Sequence, residues 1–190
     1  MALTLNGSAN TIGGLAVGGL PDGCIQAADL AASVNTITEV DQWRITASFT
    51  TDDANPIGAN WERSDTGFTK IGTGMTQSSG VFTFPSTGIW LINFSSYAYA
   101  VSAERRYIGY SVYNTTNSGS NWYARSYVFS NMFSHDPANH TTGFVSAILD
   151  ITNTSTHKVR FRVDAEADVT FKGGTDENYT YAQFLRLGDT

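Results

Sequence analysis

From Trp43 onward the chain alternates apolar and polar residues in short runs, separated by clusters of Gly, Asn, Ser and Asp. That pattern predicts an all-β sandwich. WRITASFTT reads as a first strand, and GVFTFPSTG and GIWLINFSSYAYA follow it, parted at Pro85 to Gly88. RRYIGYSVYN, the turn TTNSGSN and WYARSYVFSNMF predict a hairpin, after which TTGFVSAILDIT, HKVRFRVDAEAD and YTYAQFLRLG complete the set. In KVRFRVDAEAD, Val159, Phe161, Val163 and Ala165 share one face, and Lys158, Arg160, Arg162, Asp164, Glu166 and Asp168 share the other. A half-buried antiparallel strand requires this arrangement. Two segments depart from it. Trp90, Ile92 and Phe94 form one apolar face while Ile89 and Leu91 begin a second, and Phe144 and Ile148 oppose Val145, Leu149 and Ile151. In a two-layer sandwich one face of each sheet meets water unless something covers it. Such strands therefore call for a covering partner, either the N-terminal arm or a second copy of the chain.

Residues 1–40 have a different texture, rich in Gly, Ala, Leu and Val and without an aromatic residue, so they cannot build a core of their own. LPDG predicts a turn, with Pro21 fixing φ and Gly23 free to adopt positive φ. IQAADLAAS after it predicts a short helix, marginal in water without a docking surface. The division expected is an arm over 1–40 and a sandwich head over 41–190.

Composition narrows the function. Of 190 residues, 13% are aromatic and only 15% charged, so surface polarity rests on Ser, Thr, Asn and Tyr. A net charge of −6 argues against a nucleic-acid surface, which needs a basic patch to replace phosphate counterions. The single cysteine, Cys24, excludes an internal disulfide framework. The N-terminus lacks the basic start and apolar core of a secretory signal, and no run reaches membrane-spanning length. Synthesis in a cytoplasm without export or membrane insertion is the expectation.

Candidate chemistry is sparse. His135, Asp136 and His140 in SHDPANH have ligand-type side chains, but Asp-Pro forms turns and the stretch lies between strands, so a polar loop is the simpler reading. Asp164, Glu166 and Asp168 share a strand face at a spacing of about 7 Å. They are either a solvated face beside Arg160 and Arg162 or a row suited to a hard cation. There is no Gly-x-Ser-x-Gly elbow, no phosphate-cradling loop, and no base beside Cys24. The chain reads as non-enzymatic, with no cofactor. Its positive feature is a middle rich in Tyr, Trp, Ser and Asn: Tyr97, Tyr99, Tyr107, Tyr110, Tyr113, Trp122, Tyr123 and Tyr127 around NTTNSGSNW. Rigid amphipathic rings beside small hydrogen-bonding side chains suit a recognition surface. Trp122, Tyr123, Asn117 and Asn121 are its candidate receptor-binding residues. The alternative is that the rings fill the core with their hydroxyls at its edge, the reading favoured for Tyr107, Tyr110 and Tyr113.

SGVFTFPSTGIWLINFSSY resembles the tumour-necrosis-factor and complement globular-head superfamily, in which a strand ends at a Pro-x-x-Gly turn and the next opens with alternating aromatics. Gly80, Phe82, Pro85, Gly88, Trp90 and Ile92 carry the resemblance, and YTYAQFLRLG is similar to that family's last strand. The resemblance implies an antiparallel jelly roll of about ten strands that forms a homotrimer. Ile89, Leu91, Tyr97, Tyr99, Val145 and Leu149 are the expected interface, and calcium near the apex is an occasional family feature. A Gly-x-y stalk is absent and Trp90 stands where Tyr is usual. The arm NTIGGLAVGGLPDGCIQAADLAASV resembles segments of phage tail fibres and virion spikes, through Gly18 to Gly23 and Ala28 to Ala31. This second resemblance implies a virion protein assembled in the host cytoplasm. Its arm would dock on other virion proteins through Leu15, Leu20, Pro21, Gly23, Ile25 and Leu30, and its head would meet a host-surface glycan or protein. Decoration of the capsid, or a free lectin-like jelly roll, are the alternatives.

Overall fold

A computed structural model describes residues 4–6, 11–13, 37–101, 103–133 and 138–190. The chain divides into two units, Met1–Thr36 and Ile37–Thr190. In the first, β1 (Thr4–Asn6) pairs antiparallel with β2 (Thr11–Gly13), a pairing not anticipated from the sequence. The expected helix over 25–33 and the six proposed anchoring residues, Leu15, Leu20, Pro21, Gly23, Ile25 and Leu30, lie outside the described residues.

The second unit is an all-β jelly-roll sandwich. It contains β3 (Val40–Ile45), β4 (Phe49–Ala54), β5 (Trp61–Arg63), β6 (Thr76–Ser78), β7 (Val81–Thr83), β8 (Gly88–Ala100), β9 (Arg105–Thr115), β10 (Tyr123–Met132), β11 (Asn139–Ile151), β12 (Lys158–Phe171) and β13 (Tyr181–Gly188). One layer runs β5-β3-β13-β8-β11. The other runs β10-β9-β12, with β7 and β4 sharing the far edge of β12 and β6 pairing with β7. All these pairs are antiparallel, and Thr170 and Phe171 of β12 reach Tyr99 and Ala98 of β8, joining the layers at one corner. Among the described residues no helix is long and apolar enough to cross a membrane.

Alternation drives this layering. Trp90, Ile92 and Phe94 of β8 and Val159, Phe161 and Val163 of β12 are buried between the layers, where side chains of both inner faces interdigitate. Phe82 lies 5.1 Å from Trp61 and Phe184 and 5.5 Å from Phe161, centroid to centroid, mostly in edge-on or tilted geometry. Aromatic quadrupoles favour such geometry over face-to-face stacking. Gly143 shows how closely the layers approach: a Cβ there would lie 2.0 Å from Cδ2 of Tyr110. Tyr110 is buried, as its core reading requires.

WRITASFTT is two strands rather than one. Ile45 leaves the β3–β13 ladder, the backbone N–H of Thr46 donates to Asn60, and Phe49 resumes as a partner of Phe171 in the other layer. The chain changes layers within this run, which alternation alone does not reveal. β5 and β6, three residues each, are too short to carry a period and were not anticipated. The break between β7 and β8 falls where Pro85 to Gly88 predicts it, with Gly88 at φ 137°.

Candidate functional site

Two outer sheet faces carry the surface chemistry. On the layer containing β8, register aligns Val40, Leu185, Leu91 and Ile148 in one row across β3, β13, β8 and β11. Neighbouring strands lie about 4.8 Å apart, so the row is a continuous apolar band. Ile148 is 65% exposed and Phe144, two rows further on, is 55% exposed. Between them runs a polar row of Gln42, Gln183, Asn93 and Ser146, in which Gln183 Nε2 donates to Gln42 Oε1 at 2.8 Å. At the far end Tyr97 and Tyr99 flank His140, with Tyr97 Oη 2.6 Å from His140 Nδ1.

Four of the six expected interface residues, Ile89, Leu91, Tyr97 and Tyr99, lie on this outer face, half-buried. Val145 and Leu149 do not. Both point into the core at 3% and 6% exposure, because β11 pairs Val145 with Phe94 and Leu149 with Trp90, the inward residues of β8. The outward apolar residues of β11 are Phe144 and Ile148. The run alternates as expected, with the opposite phase to the one expected from the sequence.

The second face is formed by β10, β9 and β12. Register places Phe129, Gly109 and Asp164 in one row and Tyr127, Ser111 and Arg162 in the next. Tyr113 and Arg160 are paired one row beyond. Tyr127 donates its hydroxyl hydrogen to Asp164 Oδ1. Arg162 Nε donates to Asp53 at 2.8 Å and lies 4.0 Å from Asp164. Burial, then the bond to Asp164 and that carboxylate's charge, push the Tyr127 hydroxyl above the usual tyrosine range. The bond to Asp53 holds Arg162 still more firmly protonated. Tyr107, Phe129 and Asp164 line an open trough of about 510 Å³. Glycine at 109 lets the Tyr127 hydroxyl and the Asp164 carboxylate meet above its backbone, since a Cβ there would stand 2.5 Å from Tyr127 Oη and 2.6 Å from Asp164 Oδ1.

The β9–β10 connection gathers the four receptor candidates at one end of this face. Arg160 Cζ lies 4.2 Å from the Trp122 ring centroid and 5.7 Å from that of Tyr113, so Trp122 is half-buried on a cation. Tyr123 is exposed, with Arg125 Cζ 5.4 Å from its ring. Asn121 is exposed too, but the side-chain carbonyl of Asn117 accepts from the Thr115 hydroxyl at 2.8 Å and the Asn121 N–H at 2.9 Å. Asn117 thus closes the turn. Sequence reasoning missed Phe129 and the juxtaposition of Tyr107, Phe129 and Asp164. The spacing of Tyr127 and Phe129 was visible, but the trough depends on cross-strand register.

Among the described residues no three His, Cys, Asp or Glu side chains converge as a metal site. His135 and Asp136 lie outside the described residues, and His140 is on β11. Of the expected carboxylate row, Glu166 accepts from Arg106 and Asp164 from Tyr127.

No family model matches the chain, and no curated protein matches it in sequence. Solved structures do match its fold. Eiger TNF from S. frugiperda superposes with a TM-score of 0.60 at 11% identity, over 82% of this chain and 96% of that one. Murine APRIL superposes at 0.54 and 12% identity, over 78% of this chain and 98% of that one. The architecture of the second unit is the TNF-like jelly roll.

Proposed function

We propose that the protein is a phage virion component, a homotrimeric tail fibre or spike whose arm attaches to the particle and whose jelly-roll head binds the host cell surface. The observation that carries the reading is the apolar row of half-buried Val40, Leu185 and Leu91 ending in exposed Ile148, on the outer face of a sheet whose other face packs into the core. Fully burying an exposed side chain of this size stabilises by about 1.5–3 kcal/mol, of which Ile148 has most still to gain and the half-buried Val40, Leu185 and Leu91 a smaller part, and a second copy of the chain is the partner that is always present. The arm belongs to a separate unit, which suits an attachment segment, and its likeness to fibre and spike sequences supplies the virion setting. The role is one of binding and architecture, without catalysis.

Light scattering on the full chain, with and without residues 1–36, tests both halves. Trimers in both proteins, with loss of particle incorporation on deletion, is the expected result; a monomer near the 20.5 kDa chain mass would sink the trimer. Imaging of labelled particles separates the tail from the shell. Label on the capsid, together with loss of shell stability when the protein is absent, would make it a decoration protein instead.

A further inference from the structure

We propose that the open trough lined by Tyr107, Phe129 and Asp164 is a binding site for a neutral pyranose sugar. The inference rests on reading the head as a binding domain, and requires neither the arm nor a trimer. The trough is a shallow, open depression whose walls are the Tyr107 and Phe129 rings and the Asp164 carboxylate. Phe129 is 59% exposed and Tyr107 38%, with ring centroids 5.9 Å apart and planes at 87°. Tyr127 packs on the other side of Phe129 at 4.6 Å. The rings therefore hold one another in place before any ligand arrives, which lowers the entropic cost of binding.

Charge selects the ligand class. Asp164 repels an anion. Arg162, 4.0 Å away, is hydrogen-bonded to Asp53 and offsets the Asp164 charge only in part, so an oligolysine comparator tests a cationic ligand against a neutral one. What remains is acceptor capacity. Oδ1 takes the Tyr127 hydroxyl hydrogen, and no described residue donates to Oδ2. A carboxylate oxygen without a donor beside exposed aromatic rings suits a ligand with an apolar C–H face and hydroxyl donors at its rim. A pyranose has both: the C–H face lies on the more exposed Phe129 ring, with Tyr107 standing perpendicular at its edge, while a ring hydroxyl donates to Asp164 Oδ2. Such charge-assisted bonds are among the stronger ones.

The test uses the full chain on an array of neutral oligosaccharides ending in glucose, galactose, mannose or N-acetylglucosamine, with sialylated and sulfated glycans and oligolysine as comparators. The wild type is expected to bind at least one neutral glycan. Phe129→Ala and Asp164→Asn should each weaken that binding about tenfold or more, as loss of a desolvated partner does. Tyr107→Ala supplies an independent variant should Asp164→Asn disturb the Tyr127 bond, and Glu177→Gln, in the exposed β12–β13 connection, should bind as wild type does. Capture of charged probes alone, no glycan bound, or undiminished binding by the Phe129 and Tyr107 variants would overturn the site. Adsorption of the protein to whole host cells is read in parallel. Adsorption without glycan binding leaves the head a host binder and removes the trough; glycan binding by the trough without adsorption does the reverse.

Discussion

Asp41 illustrates what single residues contribute. It is 1% exposed, yet its carboxylate accepts from Trp43 Nε1 at 2.8 Å, Arg63 Nε at 2.9 Å, the Met75 N–H at 2.7 Å and the Gln42 N–H at 3.0 Å. With Arg63 Nη2 at 3.2 Å, five donors surround one buried charge. Asp41→Ala strands Arg63 and two backbone N–H groups, and is expected to destabilise the head by about 3–5 kcal/mol in urea unfolding. Tyr110 sets a limit at high pH. Burial, partly opposed by the hydrogen bond from Ser130, pushes its hydroxyl up to about 12 from 10.0. Between those values the unfolded chain has lost a proton that the native state still holds, so stability falls as pH rises through the window and is fully present below it. Tyr110→Phe should flatten that decline when unfolding is compared at about pH 9 and about pH 11.

At the scale of elements, the outer row of the β3-β13-β8-β11 sheet can be tested without unfolding the subunit. Ile148 is mostly exposed, so Ile148→Asp should leave the melting of an isolated subunit nearly unchanged while light scattering shows loss of association. Strand existence was legible because long runs such as KVRFRVDAEADVTF bury every second residue through Ala165. Phase was legible where the other face is charged, as in β12, and lost where both faces are apolar, as in β11, because then only the partner strand decides which set turns inward. The same reason explains the site. Trp122 and Tyr123 are adjacent in sequence and could be nominated from it, whereas Asp164 meets Phe129 across two strand pairings, through Gly109.

For the whole molecule, the strands of the head come together out of sequence order. β13 lies between β8 and β3, so removing Tyr181–Gly188 takes away the middle of a layer rather than its margin. A chain stopped after Thr180 should be insoluble, with no cooperative melting by circular dichroism, whereas one beginning at Ile37 should melt cooperatively, since the head's core lies within Ile37–Thr190. This placement also fixes a sequence of events during synthesis. β3 and β8 leave the ribosome with a strand-wide gap between them, and the row that begins at Val40 and ends at Ile148 stays interrupted until Leu185 is added. In the proposed homotrimer, association through that row has to wait until β13 has been made, so the position of one strand would act as a timer that keeps nascent copies apart.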